Sequence, residues 1–459
     1  MFMGINDNFR YLHMGLPEDV LRRKHYGDFP GAIAAIDRHL QSADTPEALK
    51  KCLTAEREIL RRLPEDYPLT RQQALALARE KIPDFSEAEF DALERDRRID
   101  WIYIDGVPHY FGRYFDSLCK TDAVIARRAG ALPVGADGHD SSGMLEDTLR
   151  RMREEGSVSL RIRCRASVQL KPETFRAGER VRAYLPLPCA CDAQSDIRIE
   201  SVTPPPAHIS PETAPQRVVF WEEIPEENHP FTVEFSYTRT ARYTDLSHPL
   251  PAAERPSIDT EELPSHVLFT PYIRELVRTL TEGVDEPLDK ARRFYDYITL
   301  HVKYSFVRAY FGLESIPETC ARNLRGDCGM MALLFITLCR CAGIPARWES
   351  GWKAEPGFCG AHDWAQFYAA PYGWLYADPS FGCGAAREGN ESRRQHYFGN
   401  LDPFRMAANT RFEADFDVPM DHWRADPYDN QVGEMELRDR GLSYGEFLRS
   451  KEVLECTEV

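Results

Sequence analysis

Long apolar runs are absent from this sequence of 459 residues. No segment approaches the ~20 consecutive apolar residues that a membrane-spanning helix needs. The first residues also lack the basic stretch followed by an apolar run that marks an export signal. We therefore expect no contact with a membrane and a cytoplasmic location.

Positive charge is in deficit. The chain carries 57 Lys and Arg against 73 Asp and Glu, which gives a formal net charge of −16. This acidic balance disfavours binding to nucleic acid or to an anionic membrane, because both partners are polyanions. The hydrophobic content of 43% is sufficient for buried cores, and the length predicts two or three domains.

Twelve cysteines are too few for a disulfide scaffold in a chain of this length, and we expect them to be reduced. Two pairs, Cys189 with Cys191 and Cys339 with Cys341, have C-x-C spacing. Neither pair has the C-x-x-C spacing or the clustered histidines of a zinc site. The sequence therefore predicts no metal and no cofactor.

The hydrophobic pattern changes along the chain. Residues 1–154 contain mainly amphipathic helical patterns, interrupted by a hairpin signal in which Asp105-Gly106 separates two apolar strands. Helices followed by a hairpin resemble a winged-helix arrangement, which often binds nucleic acid, but the acidic charge favours a structural or substrate-contacting role. Residues 155–245 alternate apolar and polar side chains between Pro-rich turns, which predicts a small antiparallel β-sandwich.

One cysteine has the surroundings of a nucleophile. Cys328 follows a turn-forming stretch and opens an almost wholly apolar segment that runs to Leu338, so we expect it to begin a buried helix. The partial positive charge of a helix N-terminus stabilises a thiolate and leaves backbone N–H groups for an oxyanion. Gly343 and Pro345 predict where this helix ends.

A histidine and an aspartate downstream provide the other two groups that a cysteine nucleophile needs. His362 opens a segment rich in strand formers, and Asp378 follows a second short strand after a turn near Pro371. The register of such a hairpin places the two side chains opposite or diagonal on one face, so we expect a hydrogen bond between them. Residues 352–360, which contain Pro356, are interpreted as a loop beside the active-site groove.

The order and context of these residues resemble the transglutaminase-like superfamily, in its bacterial-type members. The segments that carry the resemblance are Arg325-Gly326-Asp327-Cys328, Cys341-Ala342-Gly343-Ile344-Pro345-Ala346-Arg347, His362-Asp363-Trp364-Ala365-Gln366-Phe367-Tyr368 and Gly373-Trp374-Leu375-Tyr376-Ala377-Asp378-Pro379. The resemblance implies a papain-like fold with Cys328 as nucleophile, His362 as base and acid, and Asp378 as orienting carboxylate. Asp363 and Gln366 depart from the family pattern, which more often has a small residue and a glutamate there.

These observations together predict an α+β protein. A papain-like transglutaminase core is expected to follow a β-sandwich and an N-terminal mainly helical region. The predicted domains are residues 1–154, 155–245 and 246–459, the last being the catalytic domain with a C-terminal extension.

Five further residues are candidates for substrate binding. Tyr304 and Asn323 precede the nucleophile, and either could supply a second oxyanion donor beside the nucleophile's own backbone N–H. Trp364 is interpreted as core or as a wall of the groove. Asp402 and Arg405 lie in a polar and aromatic stretch and are candidate specificity residues, although a structural salt bridge explains them equally well.

The expected chemistry is attack of a thiolate on an amide or ester carbonyl, which gives a thioester. We predict a cysteine hydrolase that cleaves an amide or peptide-type bond. Two alternatives are acyl transfer to an amine, as in a transglutaminase, and a non-catalytic module that binds peptides in the groove. In both enzymatic cases the expected partner is a peptide or another amide-containing substrate.

Overall fold

The computed structural model describes residues 5–131, 142–247 and 258–459. The N-terminal region is mainly helical, as predicted, and has a hydrophobic core of its own. Its elements are a 3-10 helix (Ile5–Met14), α1 (Glu18–Tyr26), α2 (Phe29–Gln41), α3 (Glu47–Asp66), β1 (Leu69–Thr70), α4 (Arg71–Lys81), α5 (Glu87–Arg95), β2 (Trp101–Ile104), β3 (Val107–Tyr110), α6 (Tyr114–Thr121), α7 (Ala123–Arg128) and α8 (Ser142–Glu155).

Local sequence signals set several of these boundaries. Thr70 and Ser86 begin α4 and α5 with capping boxes, in which each hydroxyl accepts from the backbone N–H three residues later. The predicted hairpin is confirmed, because β2 and β3 pair in antiparallel register around Asp105 and Gly106. Both turn residues have positive φ, 51° and 74°, the geometry that suits a two-residue loop between twisted strands.

Two four-stranded antiparallel sheets follow the helical region. Every second side chain of β4 is buried, which is the alternation seen in the sequence. The sheet orders are β17-β5-β8-β7 and β18-β4-β9-β6. The strands are β4 (Ser157–Leu170), β5 (Val181–Pro186), β6 (Gln194–Thr203), β7 (His208–Ile209), β8 (Val218–Glu223), β9 (Phe231–Arg242), β17 (Glu434–Leu437) and β18 (Phe447–Glu458).

The C-terminal extension therefore returns to these two sheets. β17 pairs with β5 and β18 pairs with β4, both in antiparallel register. The chain between β16 (Arg405–Asn409) and β17 crosses from the catalytic region to the sheets, and it contributes residues to the candidate site. The predicted division into three domains stays a prediction.

A five-stranded antiparallel sheet of order β15-β14-β13-β12-β16 forms the centre of the catalytic region. α12 packs against it, for example through Phe335 and Phe367, whose ring centroids are 5.4 Å apart. The elements are α9 (Pro271–Leu280), α10 (Pro287–His301), β10 (Lys303–Tyr304), a 3-10 helix (Tyr310–Gly312), α11 (Ile316–Asn323), β11 (Arg325–Gly326), α12 (Cys328–Cys341), β12 (Ala346–Glu355), β13 (Phe358–Ala369), β14 (Gly373–Ala377), α13 (Pro379–Arg387), α14 (Glu391–His396), β15 (Phe398–Gly399) and β16 (Arg405–Asn409).

The predictions for α12 are confirmed. The helix begins at Cys328, its side chains are buried almost throughout, and Gly343 follows it with φ 75°. The loop predicted at 352–360 is wrong, because β12 runs to Glu355 and β13 starts at Phe358, leaving Pro356-Gly357 as a two-residue turn. β12 is buried on both faces, so its sequence lacks the alternation that marks a half-exposed strand.

The predicted α+β class is confirmed, with helices first, two packed sheets next and a mixed catalytic region around a sheet of its own. Among the helices of the described ranges, none combines the length and apolarity needed to cross a membrane.

Candidate active site

The candidate nucleophile is the first residue of α12. β11 pairs in parallel with β10 and leads the chain directly to the start of this helix. The N-cap is Asp327, whose carboxylate accepts from the Met330 N–H over 3.1 Å and from the hydroxyl of Tyr310. The Cys328 side chain consequently lies at the positive end of the helix dipole.

The Cys328 thiol contacts a carboxyl group. Its Sγ lies 3.1 Å from Oδ2 of Asp363. Burial raises the pKa of the thiol well above its ordinary value, and the neighbouring Asp363 and Asp327 raise it further, whereas the backbone N–H of Asp363 acts in the opposite direction. The thiol therefore needs both a proton acceptor and an uncharged neighbour to react as a thiolate.

His362 and Asp378 form the hydrogen bond that the hairpin register predicts. β13 and β14 pair with Ala365 opposite Ala377, which places Asp378 diagonal to His362. Nε2 of His362 lies 2.7 Å from Oδ2 of Asp378. The other carboxylate oxygen caps α13 by accepting from the Phe381 N–H over 2.9 Å. This hydrogen bond assigns the tautomer and leaves Nδ1 as the nitrogen that can take a proton from a thiol.

A buried arginine supports the same carboxylate. Arg405 Nη1 donates to Oδ2 of Asp378 over 2.8 Å, while its Nη2 and Nε donate to Oδ2 of Asp402 over 2.5 and 3.0 Å. Burial alone would raise the pKa of Asp378, but His362 and Arg405 outweigh it and hold that pKa below its ordinary value. Asp378 is therefore an anion while it holds the imidazole.

The structure joins the three predicted catalytic residues through two separate contacts. His362 bonds to Asp378, whereas the Cys328 thiol bonds to Asp363, the residue that follows His362 in β13. Within residues 5–131, 142–247 and 258–459, no hydrogen bond joins Cys328 Sγ to the imidazole. Successive side chains of a strand leave it in opposite directions, and the thiol lies on the side of Asp363.

Comparison with known proteins assigns the family of this segment. Residues 274–379 match the family model of the Transglutaminase-like superfamily, a range that contains Cys328, His362 and Asp378. The chain carries a transglutaminase-like core. This confirms the resemblance seen in the sequence. No curated protein matches the chain.

Several solved structures are similar to this chain. A candidate cysteine protease from Cytophaga hutchinsonii is 17% identical with a TM-score of 0.41, over 66% of this chain and 91% of its own. The periplasmic domain of TgpA from Pseudomonas aeruginosa is 16% identical with a TM-score of 0.29, over 54% of this chain and 96% of its own. A candidate protease from Parabacteroides distasonis is 12% identical with a TM-score of 0.22, over 48% of this chain and 42% of its own.

The two candidates for the second oxyanion donor, Tyr304 and Asn323, differ in position. Tyr304 pairs with Gly326, two residues before the candidate nucleophile, and burial, Cys328 and Asp327 raise the pKa of its hydroxyl well above the ordinary value. Asn323 is exposed at the end of α11. Tyr304 is thus the better placed of the two, and it is an uncharged donor at neutral pH.

The other three substrate-binding candidates are parts of the interior. Trp364 is fully buried and donates from Nε1 to Oε2 of Glu349 over 2.6 Å, so it belongs to the core. Asp402 and Arg405 are both 0 % exposed, which keeps them from contacting a substrate directly. For this pair the specificity role is corrected, and the alternative of a structural salt bridge is the one observed.

Sequence reasoning missed the residues that surround Asp363. Gln431 donates from Nε2 to Oδ1 of Asp363 and, over 2.9 Å, to Oδ2 of Asp429. Ser350 donates to the same carboxyl of Asp429. Gln431 and Asp429 lie between β16 and β17, far from the nucleophile in sequence, and no periodicity or motif marks them. Asp363 itself was visible as a departure from the family pattern.

The sequence predicted no metal and no cofactor, and both stay predictions. Across the part of the chain that the structure describes, no group of three or more His, Cys, Asp or Glu side chains is arranged to hold a metal ion. All twelve cysteines are free thiols.

Proposed function

We propose that this protein is a cysteine hydrolase that cleaves an amide or peptide-type bond through a thioester on Cys328. The observation that carries the proposal is the His362–Asp378 hydrogen bond of 2.7 Å. The strand that holds His362 also contacts, through its next residue, the Cys328 thiol at the start of a buried helix. A nucleophile at a helix N-terminus, an imidazole and a buried carboxylate that orients it are the parts that acyl transfer through cysteine requires.

The proposed reaction begins when the Cys328 thiol and the His362 imidazole approach each other and the thiol passes its proton to Nδ1, while the sulfur stays in contact with Asp363. The sulfur electron pair then forms a bond to the carbonyl carbon, and the carbonyl π pair moves to oxygen. Collapse of this intermediate breaks the C–N bond, and the imidazolium gives its proton to the departing amine. Water, deprotonated by the same imidazole, cleaves the thioester and restores the thiol.

The oxyanion is expected to bind at the start of α12. The Cys328 backbone N–H opens the helix, and the helix dipole favours negative charge there. We assign the second donor to the hydroxyl of Tyr304, which pairs with Gly326 two residues before Cys328 and, like an ordinary tyrosine, is uncharged at neutral pH. Two donors directed at the developing charge are the usual requirement for acyl transfer.

Hydrolysis is preferred over transfer to an amine because the side chains of both reacting residues are largely buried. Cys328 is half-buried and His362 is 5 % exposed. Water reaches such a centre more easily than an amine carried on a second macromolecule. We also propose that the protein acts in the cytoplasm and binds neither nucleic acid nor a membrane, as its acidic charge and lack of long apolar runs suggest.

The test is to trap the acyl-enzyme. The full chain is incubated with a mixture of peptides and small amides, with and without a labelled primary amine, and the mass added to Cys328 is measured. We expect a thioester adduct and free acid products in the wild type. Cys328→Ala should give neither, while Cys341→Ala, which changes the cysteine at the other end of α12, should behave as the wild type.

Each outcome decides between the candidates. Incorporation of the labelled amine into product in place of free acid would assign acyl transfer. Absence of any adduct, together with a Cys328 alkylation rate that His362→Ala does not change, would overturn both enzymatic proposals and leave the peptide-binding module.

A further inference from the structure

The carboxyl group of Asp363 faces the reacting sulfur with one particular oxygen. Oδ1 accepts a hydrogen bond from Nε2 of Gln431, whereas Oδ2 lies 3.1 Å from Cys328 Sγ. The same Gln431 nitrogen faces Oδ2 of Asp429 at 2.9 Å and the backbone carbonyl of His362 at 3.3 Å, three acceptors that identify it as the amide nitrogen. If Asp363 carries a proton, Oδ2 is consequently the oxygen that holds it.

The surroundings of Asp363 oppose its ionisation. The side chain is 6 % exposed, and two further carboxyl groups, Asp429 and Asp327, lie close to it. Burial, followed by the charges of these two groups, raises the pKa of Asp363 well above its ordinary value. Gln431 Nε2 contacts both carboxyl groups, so Asp363 and Asp429 lie close enough for a charge on one to oppose ionisation of the other.

Titratable groups face this carboxyl from every element packed around it. Most of them are acids, and Lys451 is a cation whose own pKa burial lowers to about 8. The groups are Asp327 and Cys328 at the start of α12, Tyr304 of β10, Tyr310 of the second 3-10 helix, Asp426 and Asp429 between β16 and β17, and Lys451 of β18.

We propose that Asp363 is a further catalytic residue, which acts as a neutral carboxylic acid and donates a hydrogen bond from Oδ2 to the Cys328 thiolate. The inference rests on the proposed function, because it assigns a role to Asp363 in forming the nucleophile. An ionised carboxylate at this distance would instead repel the thiolate.

The proton balance is simple. The thiol proton leaves Sγ for Nδ1 of His362, and the negative charge stays on sulfur. The Asp363 proton remains bonded to Oδ2 throughout and points at the sulfur lone pair. When the sulfur forms its bond to the substrate carbonyl carbon, the charge leaves sulfur and the hydrogen bond weakens. No proton is gained or lost by Asp363 over the cycle.

The experiment measures the alkylation of Cys328 by iodoacetamide in the full-length protein between about pH 5 and 10, a range that lies above the ordinary pKa of an aspartate and includes that of a thiol. The Cys328 peptide is quantified by mass spectrometry, so that the other cysteines do not contribute. This readout reports the thiolate and needs no substrate. Thermal melting of each variant establishes that it is folded.

Three variants separate the donor role from a structural one. Asp363→Ala removes the donor, and we expect alkylation at about pH 6 to fall about tenfold, the effect of one pKa unit on the thiol. Asp363→Asn keeps an N–H donor and cannot ionise, so we expect a wild-type rate at acidic pH and a faster rate than wild type once Asp363 ionises. Asp429→Asn is the matched control, because it removes a neighbouring charge without touching sulfur and should move that ionisation to lower pH.

The opposite results would overturn the inference. If Asp363→Ala and Asp363→Asn both react faster than wild type at acidic pH, the carboxyl is an anion that suppresses the thiolate. If neither variant changes the profile, Asp363 has no effect on the sulfur. Should Asp363→Ala fail to fold, the other two variants still decide. The proposal requires Asp363→Asn to be alkylated faster than wild type at the pH values where Asp363 is ionised, and it requires Asp429→Asn to move that ionisation to lower pH.

Failure of this inference is distinguishable from failure of the proposed function. A profile that responds to His362→Ala but to neither Asp363 variant refutes the donor role alone. A profile that is insensitive to His362→Ala as well refutes the assignment of Cys328 as an activated nucleophile.

Discussion

Arg405 Nη1 lies 2.8 Å from Oδ2 of Asp378, and both side chains are 0 % exposed. The same oxygen of Asp378 bonds to the imidazole of His362. Arg405 therefore stabilises the charged form of Asp378, the carboxylate that orients the imidazole. The arginine side chain itself is buried out of reach of a substrate.

The first prediction concerns this arginine. Arg405→Met leaves the buried carboxylates of Asp378 and Asp402 without their cation, and breaking a buried pair in this way typically costs about 3–5 kcal/mol. We expect a loss of that order in the free energy of unfolding, measured by urea denaturation. Arg278→Met is the control, because its salt bridge with Glu275 is exposed and should contribute less than about 1 kcal/mol. Equal losses in the two variants would contradict the argument.

The second prediction concerns Tyr304. Tyr304→Phe removes only the hydroxyl assigned as the second oxyanion donor, and loss of one such donor typically lowers kcat about 10²–10³-fold. We expect a decrease of that size in kcat with KM nearly unchanged, because the interaction strengthens in the transition state. Tyr297→Phe, a change on the neighbouring helix α10, should leave kcat as in the wild type. An unchanged kcat in Tyr304→Phe would move the second donor elsewhere.

The third prediction compares two helical glycines. A Cβ at Gly329 would lie 2.3 Å from the Tyr310 hydroxyl and 3.0 Å from Oδ2 of Asp363, so Gly329→Ala must displace groups that surround the nucleophile. We expect a loss of about 1–3 kcal/mol in stability and slower alkylation of Cys328. A Cβ at Gly384 in α13 meets nothing within 4 Å, so Gly384→Ala should gain about 0.5–1 kcal/mol. Similar melting temperatures for the two variants would refute the steric argument.

The fourth prediction concerns Glu434, whose carboxyl accepts from the backbone N–H groups of Ala425 and Asp426. Burial raises the pKa of Glu434 to about 7. A carboxyl with a raised folded-state pKa adds stability at low pH, and that stability is lost as the pH rises from the ordinary value near 4.5 through about 7. The wild type should therefore lose about 1.4 kcal/mol per pH unit in this window relative to Glu434→Gln.

Urea denaturation of both proteins across this window checks the prediction. Glutamine keeps one amide oxygen for the two N–H groups, so a constant offset between the proteins is expected at every pH. A difference that stays constant from about pH 4.5 to 7.5 would show that Glu434 is ionised in the folded protein.

Much of the catalytic region was predictable because the signals there are local. Cys328 stands between a turn and an apolar helix, and the strand register around the turn near Pro371 brings His362 to Asp378. Such features depend on residues near one another in sequence. The predicted loop at 352–360 was wrong because the strand there has no local signal. Burial of β12 on both faces is a tertiary property, and it removes the alternation that marks a half-exposed strand.

The sequence alone was sufficient for the α+β class, the family of the core and the residues expected to carry the chemistry, because helix starts, hairpin registers and motif spacing are encoded locally. Only the tertiary structure placed Asp363 against the thiol, buried Asp402 and Arg405 behind Asp378, and brought Gln431 and Asp429 to the site. These contacts join segments that are distant along the chain, and burial among other carboxyl groups decides which of their side chains carry charge.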